Sequence, residues 1–297
     1  MAKLEVLLGT GRERLEHLAG KAGALYNPFP KKDRQRPFTK KPKPPRKKPR
    51  IIDNPDEHLK FIQRKINQTL LKTVALPQYI CGGVSGKTIL DNVYIHLGAS
   101  VLVKVDIKNF FREITNIQVY RVWRELLGWS PKVAGLLTRL TTFQRHLPQG
   151  APTSTYLANL VLYYLYGPVR KHCEQRGVVY STWVDDLAFS GNDSREVIPI
   201  VVDALRQGGF AVSHKKLIVM GPATRKVLNG VLMNRFPNVA REYEKRIRSG
   251  INKLRTHQVP LAEIKQYLRR LDGAINYISS ISRRKGANLR RQLSEIK

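Results

Sequence analysis

Hydrophobic positions recur along this chain with two periods, and the places where the period changes mark its elements. Leu4, Leu8, Leu15 and Leu18 fall at helical spacing within residues 1–26, which predicts one or two short helices. Over 59–71 the stripe Leu59, Ile62, Ile66 and Leu70 predicts another, with Lys60, Arg64 and Lys65 on other faces. The pattern then shortens to β-rich runs: Val101-Leu-Val-Lys-Val-Asp106, and the two runs flanking Asp185-Asp186 within 178–190. Helices are predicted over 116–127, 153–174 and 195–207, with short strands at 211–212 and 216–220. A sheet whose strands are returned by helices indicates an α+β fold or an α/β layer. From about residue 236 only the helical period remains, in the stripes Tyr243, Ile247, Ile251, Leu254 and Leu261, Ile264, Leu268, Leu271, Ile275, Ile278.

One stretch follows neither period. Residues 31–50 hold 11 Lys and Arg, one acid and five prolines. Proline fixes φ and removes a donor, so an extended or disordered arm is expected, gripping a nucleic-acid backbone or serving as a solvated linker. The basic excess continues through the chain, which carries a net charge of +31. Such an excess calls for a polyanion. Because the basic residues are not gathered on one amphipathic helix, nucleic acid is favoured over a membrane surface. The sequence has no run of eighteen apolar residues, and Val6-Leu7-Leu8 is too short for a signal-peptide core. Cys81 and Cys173 offer no disulfide framework, and a cytoplasmic location is expected.

The chemistry concentrates in three acids. Asp185 and Asp186 lie between two β runs, and Asp106 ends an earlier one. Like charges set together at strand ends need a compensating cation, and divalent metal for phosphoryl chemistry is the usual reason to build such a site. Elsewhere, Cys81-Gly-Gly-Val-Ser-Gly-Lys-Thr88 has cysteine where a P-loop needs glycine, so a nucleotide-hydrolase loop is not expected. A turn whose N–H groups and Lys87 meet phosphates remains open. His96 lacks a second His or Cys at ligand spacing, and a packed or RNA-contacting role is expected. His172 and Cys173 read as surface and core positions of the 153–174 helix.

Four motifs then occur in order: Asp106-Ile-Lys-Asn-Phe-Phe111, Leu147-Pro-Gln-Gly-Ala-Pro-Thr-Ser154, Val184-Asp-Asp-Leu-Ala-Phe-Ser-Gly191, and Lys216 after a short strand. The series resembles motifs A, B, C and D of reverse transcriptases. Arg50-Ile-Ile-Asp-Asn-Pro55 with Leu59-Lys-Phe-Ile-Gln63 resembles the fingers of the bacterial enzymes. Residues 82–88 resemble their glycine-rich stretch, with Val84 where arginine is usual. Leu271-Asp-Gly-Ala-Ile-Asn-Tyr-Ile278 is similar to a thumb helix, so the resemblance covers roughly 50–285. Asn92-Val-Tyr-Ile-His96 and Leu228-Asn-Gly230 resemble elements of the retron branch, the first with valine for alanine and the second matching only at its glycine. Further departures are Thr155 where proline commonly stands, Trp183 for tyrosine and Ser213 for asparagine.

The resemblance implies a right hand of α+β class: a helical segment 1–30, the basic arm 31–50, fingers 51–100, a palm 101–235 that includes part of the fingers, and a helical thumb 236–297. It implies RNA-directed DNA polymerisation, in which a primer hydroxyl attacks the α-phosphate of a dNTP. Asp106, Asp185 and Asp186 would be catalytic and hold two Mg²⁺ ions, with Mn²⁺ as a substitute. Lys216 would be the general acid, with adjacent Lys215 an open alternative. Phe111 would be a steric gate against ribonucleotides, and Phe110 would point into the core from extended backbone. Gln149 and Gly150 would lie beside the dNTP, Trp183 near the primer end, and Arg50 and Lys87 on the triphosphate. Implied partners are a structured noncoding RNA, its DNA product, dNTPs and a separate effector protein in bacterial antiphage defence. Two alternatives stay open: a defence-associated or group II intron-like enzyme without 2′-OH priming, and a noncatalytic RNA-binding scaffold.

Overall fold

A computed structural model describes residues 1–31, 38 and 49–296. Nearly all of the basic arm therefore lies outside the described residues. The described chain forms two units, residues 1–31 with 49–222, and residues 223–296 with Phe38.

The first unit opens with helices α1 (Ala2–Leu8) and α2 (Arg12–Lys21), and strands β1 (Tyr26–Pro30) and β2 (Ile51–Pro55) pair antiparallel. Pro55 ends β2, and the Asp56 carboxylate caps α3 (Glu57–Ile66) by accepting from the Leu59 N–H at 2.8 Å. The predicted stripe Leu59, Ile62, Ile66 and Leu70 is buried, but its last turn, Asn67–Leu71, is π-helical. Helix α4 (Ile89–Ile95) starts at a Thr88–Asp91 capping box, and α6 (Asn116–Arg121) at a Thr115–Gln118 box. Between them lie β3 (Leu102–Asp106) and the short turn α5 (Phe110–Glu113). Helix α7 (Pro131–Thr141) follows.

The predicted helix over 153–174 is in fact two, α8 (Ser154–Leu165) and α9 (Gly167–Gln175). Pro168 has no N–H to continue the ladder and its ring clashes with a preceding carbonyl, so the axis breaks at Tyr166–Gly167. Strands β4 (Val179–Trp183) and β5 (Asp186–Ser190) form a hairpin, followed by α10 (Val197–Gln207) and β6 (Ile218–Met220). The sheet order is β4-β5-β3-β6, all neighbours antiparallel. Lys216, expected to open the last strand, instead ends a 3₁₀ segment, His214–Lys216, and the strand begins at Ile218. Strands β3 and β5 are buried along almost their whole length, which explains why they read as continuous apolar runs rather than as alternation.

His96 ties this sheet to α4. Its Nδ1 lies 2.7 Å from Ser190 Oγ on β5 and its Nε2 2.7 Å from Ser181 Oγ on β4, and the ring is buried. It is thus a packed histidine. Burial pushes its pKa down to about 4. The unfolded chain would bind that proton at the ordinary value of 6.5, so stability from this site is full above that pH and is lost as pH falls towards about 4. At about 1.4 kcal/mol per pH unit the loss reaches roughly 3 kcal/mol. Urea midpoints at pH 7.5 and pH 5 are expected to separate more for the wild type than for His96→Gln. Equal separations would refute the assignment.

The second unit holds a small antiparallel sheet, β7 (Val227–Leu228), β8 (Val231–Leu232) and β9 (Asn238–Val239), so the chain is not purely helical from 236. Asn229 and Gly230 both have positive φ, the requirement of a two-residue hairpin turn. Helices α11 (Arg241–Arg255), α12 (Ile264–Ile281) and α13 (Arg283–Ser294) bury Ile247, Ile251, Leu271, Ile275, Ile278 and Leu289 in one core. Leu261, predicted to join that stripe, lies on a 3₁₀ turn before α12 and is exposed. Among the described residues no helix is long and apolar enough to cross a membrane.

Candidate active site

The three acids come together because of strand register. In the β3–β5 pair Asp106 stands opposite Asp186, and the Asp185 carbonyl accepts from the Ile107 N–H at 3.0 Å. The hairpin turn between Trp183 and Asp186 has only Val184 and Asp185 at its tip. Val184 adopts φ 61°, a left-handed conformation that costs a β-branched residue more than most. Such strain persists only where surroundings enforce it. Here the enforcing segment is 79–82, which runs along the open edge of β4. Thr182 donates to the Tyr79 carbonyl at 2.8 Å, and its own carbonyl accepts from Cys81 and Gly82 at 3.0 and 3.3 Å. Asn159 Nδ2 of α8 donates to the Gly82 carbonyl at 2.8 Å. A side chain at Gly82 would collide with the Val184 backbone nitrogen and lie 2.7 Å from the Trp183 carbonyl carbon.

Electrostatics at the turn are unbalanced. Burial holds the Asp185 carboxyl above its ordinary range, helped by the Asp106 charge and opposed by its own backbone N–H, Lys216 and Arg50. Burial also raises Asp186, with Asp185 and Asp106 adding to it against Lys104 and Lys216. The direct cationic partner is Lys216, whose Nζ donates to Asp106 Oδ2 at 2.6 Å. Asp106 is buried while the Lys216 side chain is more than half exposed, so the ammonium reaches the acids from solvent.

A second cluster forms around the turn 148–150. Ser154 Oγ donates to the Pro148 carbonyl at 2.6 Å. The Gln149 carbonyl accepts from the Asp53 N–H at 2.9 Å, and the Gln149 N–H donates to Asp53 Oδ2 at 3.1 Å. Gly150 has φ 127°, and a Cβ there would lie 2.7 Å from Ile52 Cγ2, so glycine is needed for this close approach to β2. Phe110 is buried and Phe111 is partly buried, with ring centroids 5.7 Å apart. Both residues lie on the helical turn α5, not on the extended backbone expected, and the two rings pack against each other at the same core. Lys87 is partly buried in the loop before α4, where its charge acts on Cys81 and Asp91.

Residues 38–232 match the family of reverse transcriptases (RNA-dependent DNA polymerases). The chain belongs to that family. Among its relatives are the retron Ec86 reverse transcriptase of Escherichia coli, 28% identical over 74% of this chain and 69% of its own, and the retron Se72 reverse transcriptase of Salmonella heidelberg, 25% identical over 99% and 78%. These place this reverse transcriptase with the bacterial retron type, and its activity is RNA-directed DNA polymerisation. Among solved structures, telomerase from Candida albicans with the TWJ fragment of telomeric RNA aligns at a TM-score of 0.46 and 9% identity, over 79% of this chain and 47% of that one.

Reverse transcriptases use divalent metal ions, and the donor set here fits one. The carboxylates supply hard oxygens, burial and mutual repulsion raise the pKa of Asp185 and Asp186, and the direct ion pair is that of Lys216 with Asp106. Among the described residues no group of three or more His, Cys, Asp or Glu side chains is arranged to hold a metal ion, these three included, so the fit rests on the chemistry of the donors. Two residues that matter to the site carried no role in the sequence. Asp53 stands only as one residue of the run 50–55 that resembles the fingers, and Gly82 as part of a turn whose glycines suggest phosphate contact.

Proposed function

We propose that this reverse transcriptase belongs to a retron, copying a cognate structured noncoding RNA from an internal 2′-OH into branched RNA–DNA, in bacterial antiphage defence with a separate effector. The observation that carries the polymerase site is the register that sets Asp106 opposite Asp186, with Asp185 at the adjoining turn. Similarity to retron enzymes and the net charge of +31 support the RNA partner.

Asp106 and Asp185 would hold Mg²⁺ directly, with Asp186 as the third carboxylate shaping the field around it; when bound, the metal would neutralise charge on the reacting phosphate oxygens. Lys216, already within reach of Asp106, protonates the departing pyrophosphate from Nζ. Gln149 and Gly150 present backbone and amide to the dNTP, Arg50 and Lys87 attract its triphosphate, and Trp183 offers a ring to the primer end. Phe111 lies under the sugar. Phe111→Ala is expected to raise ribonucleotide use relative to dNTP use by at least about tenfold, the effect of some 1.4 kcal/mol of lost exclusion. Single-nucleotide extension with paired ribo- and deoxy-substrates reads this ratio, and an unchanged ratio would remove Phe111 from the role.

Purification of the protein with its bound nucleic acid tests the retron reading. RNase digestion followed by debranching enzyme should release DNA joined to RNA through a 2′–5′ linkage. Unlinked DNA would favour an enzyme with another priming route.

A further inference from the structure

Asp53 is about 1% exposed, and it joins four segments. It belongs to β2, and its backbone and carboxylate clamp both sides of the Gln149 peptide. The same oxygen lies 3.4 Å from His146 Nε2, in the turn where Phe143 and His146 exchange backbone hydrogen bonds. The other oxygen lies 4.0 Å from the guanidinium of Arg112, the residue after Phe111. A buried carboxylate is costly unless well paired, and here its cationic partner is half exposed and beyond hydrogen-bond length. An amide would cap the Gln149 N–H as well, but only a carboxylate accepts on both oxygens and so also attracts Arg112. Asp53 thus links the turn bearing Gln149 to the segment bearing Phe111.

We propose that Asp53 is a positioning residue for the nucleotide pocket, holding the Gln149 turn against β2 and drawing Arg112 into line behind Phe111. This rests on the reading of Gln149 and Phe111 as dNTP-lining residues. Because Asp53 acts through those residues, its loss should weaken dNTP binding more than it slows the chemical step or weakens the hold on template.

Extension of oligo(dT) on poly(rA) with dTTP, using the full chain, tests this. Asp53→Asn is expected to raise the dTTP KM about tenfold with kcat changed less than about threefold and template affinity unchanged. Arg112→Gln should raise KM in the wild-type background and add little in the Asp53→Asn background, since coupled residues are not additive. A KM unchanged in Asp53→Asn despite a lowered melting temperature would make the residue structural only and overturn the proposal, as would full additivity with Arg112→Gln. Should Asp53→Asn fail to fold, Arg112→Gln alone decides, because that side chain is half exposed: a raised KM supports the proposal and an unchanged one overturns it. A wild type that incorporates no dTTP would instead overturn the polymerase site itself, and the proposal with it.

Discussion

Asp185→Asn is expected to abolish DNA synthesis while the protein stays folded and still binds RNA. The substitution keeps shape and removes one negative charge from a turn where burial and Asp106 already work against ionisation. Burial outweighs the attractions of Asp185's own N–H, Lys216 and Arg50, so in the absence of divalent cation the melting temperature should hold or rise. Chemistry would lose the hard anionic ligand proposed for the metal these enzymes use. If that ligand contributes several kcal/mol of charge stabilisation in the transition state, synthesis falls by about a thousandfold or more. RNA affinity rests on basic side chains across the chain and should change little. Primer extension, thermal melting and filter binding on the same preparation separate these effects. Wild-type synthesis by the variant would sink the site assignment, and loss of fold would show that Asp185 is structural.

How much of this was legible beforehand depended on the range of the interaction. The strands carrying Asp106 and Asp185-Asp186 were visible because burial on both faces leaves an apolar run ending in acids. That the acids share one locus followed only from the ordered motif series, since antiparallel register is a property of the pair of strands. The break at Gly167-Pro168 was in the sequence but was overridden by the apolar stripe around it. Leu261 misled in the opposite way, matching a stripe from a position just outside the helix. Asp53 and Gly82 act through contacts with segments about a hundred residues distant, and no local pattern encodes those. Lys216 and Lys215 were indistinguishable by register, whereas in the folded chain the ammonium on Asp106 belongs to Lys216.

Gly82→Ala is the second substitution expected to be severe, and for a reason independent of charge. Glycine here is a matter of space: an added methyl meets the backbone of Trp183 and Val184, not the end of a flexible side chain. Backbone can yield only by moving the turn, and that turn already holds Val184 at φ 61° under the grip of residues 79–82. Displacing it shifts Asp185 relative to Asp106, and a misplacement of about 1 Å at a reacting site costs on the order of a hundredfold. Overpacking should also lower stability by about 1–3 kcal/mol. Gly135→Ala is the matched control, since that glycine lies within α7 with nothing near its Cβ position; it should melt no lower and polymerise normally. The two variants are compared by primer extension at saturating dNTP and by urea denaturation. Full activity in Gly82→Ala would mean that the turn carrying Asp185 is held from elsewhere. Lost activity with unchanged stability would show that segment 79–82 serves the geometry of the acids more than the integrity of the fold.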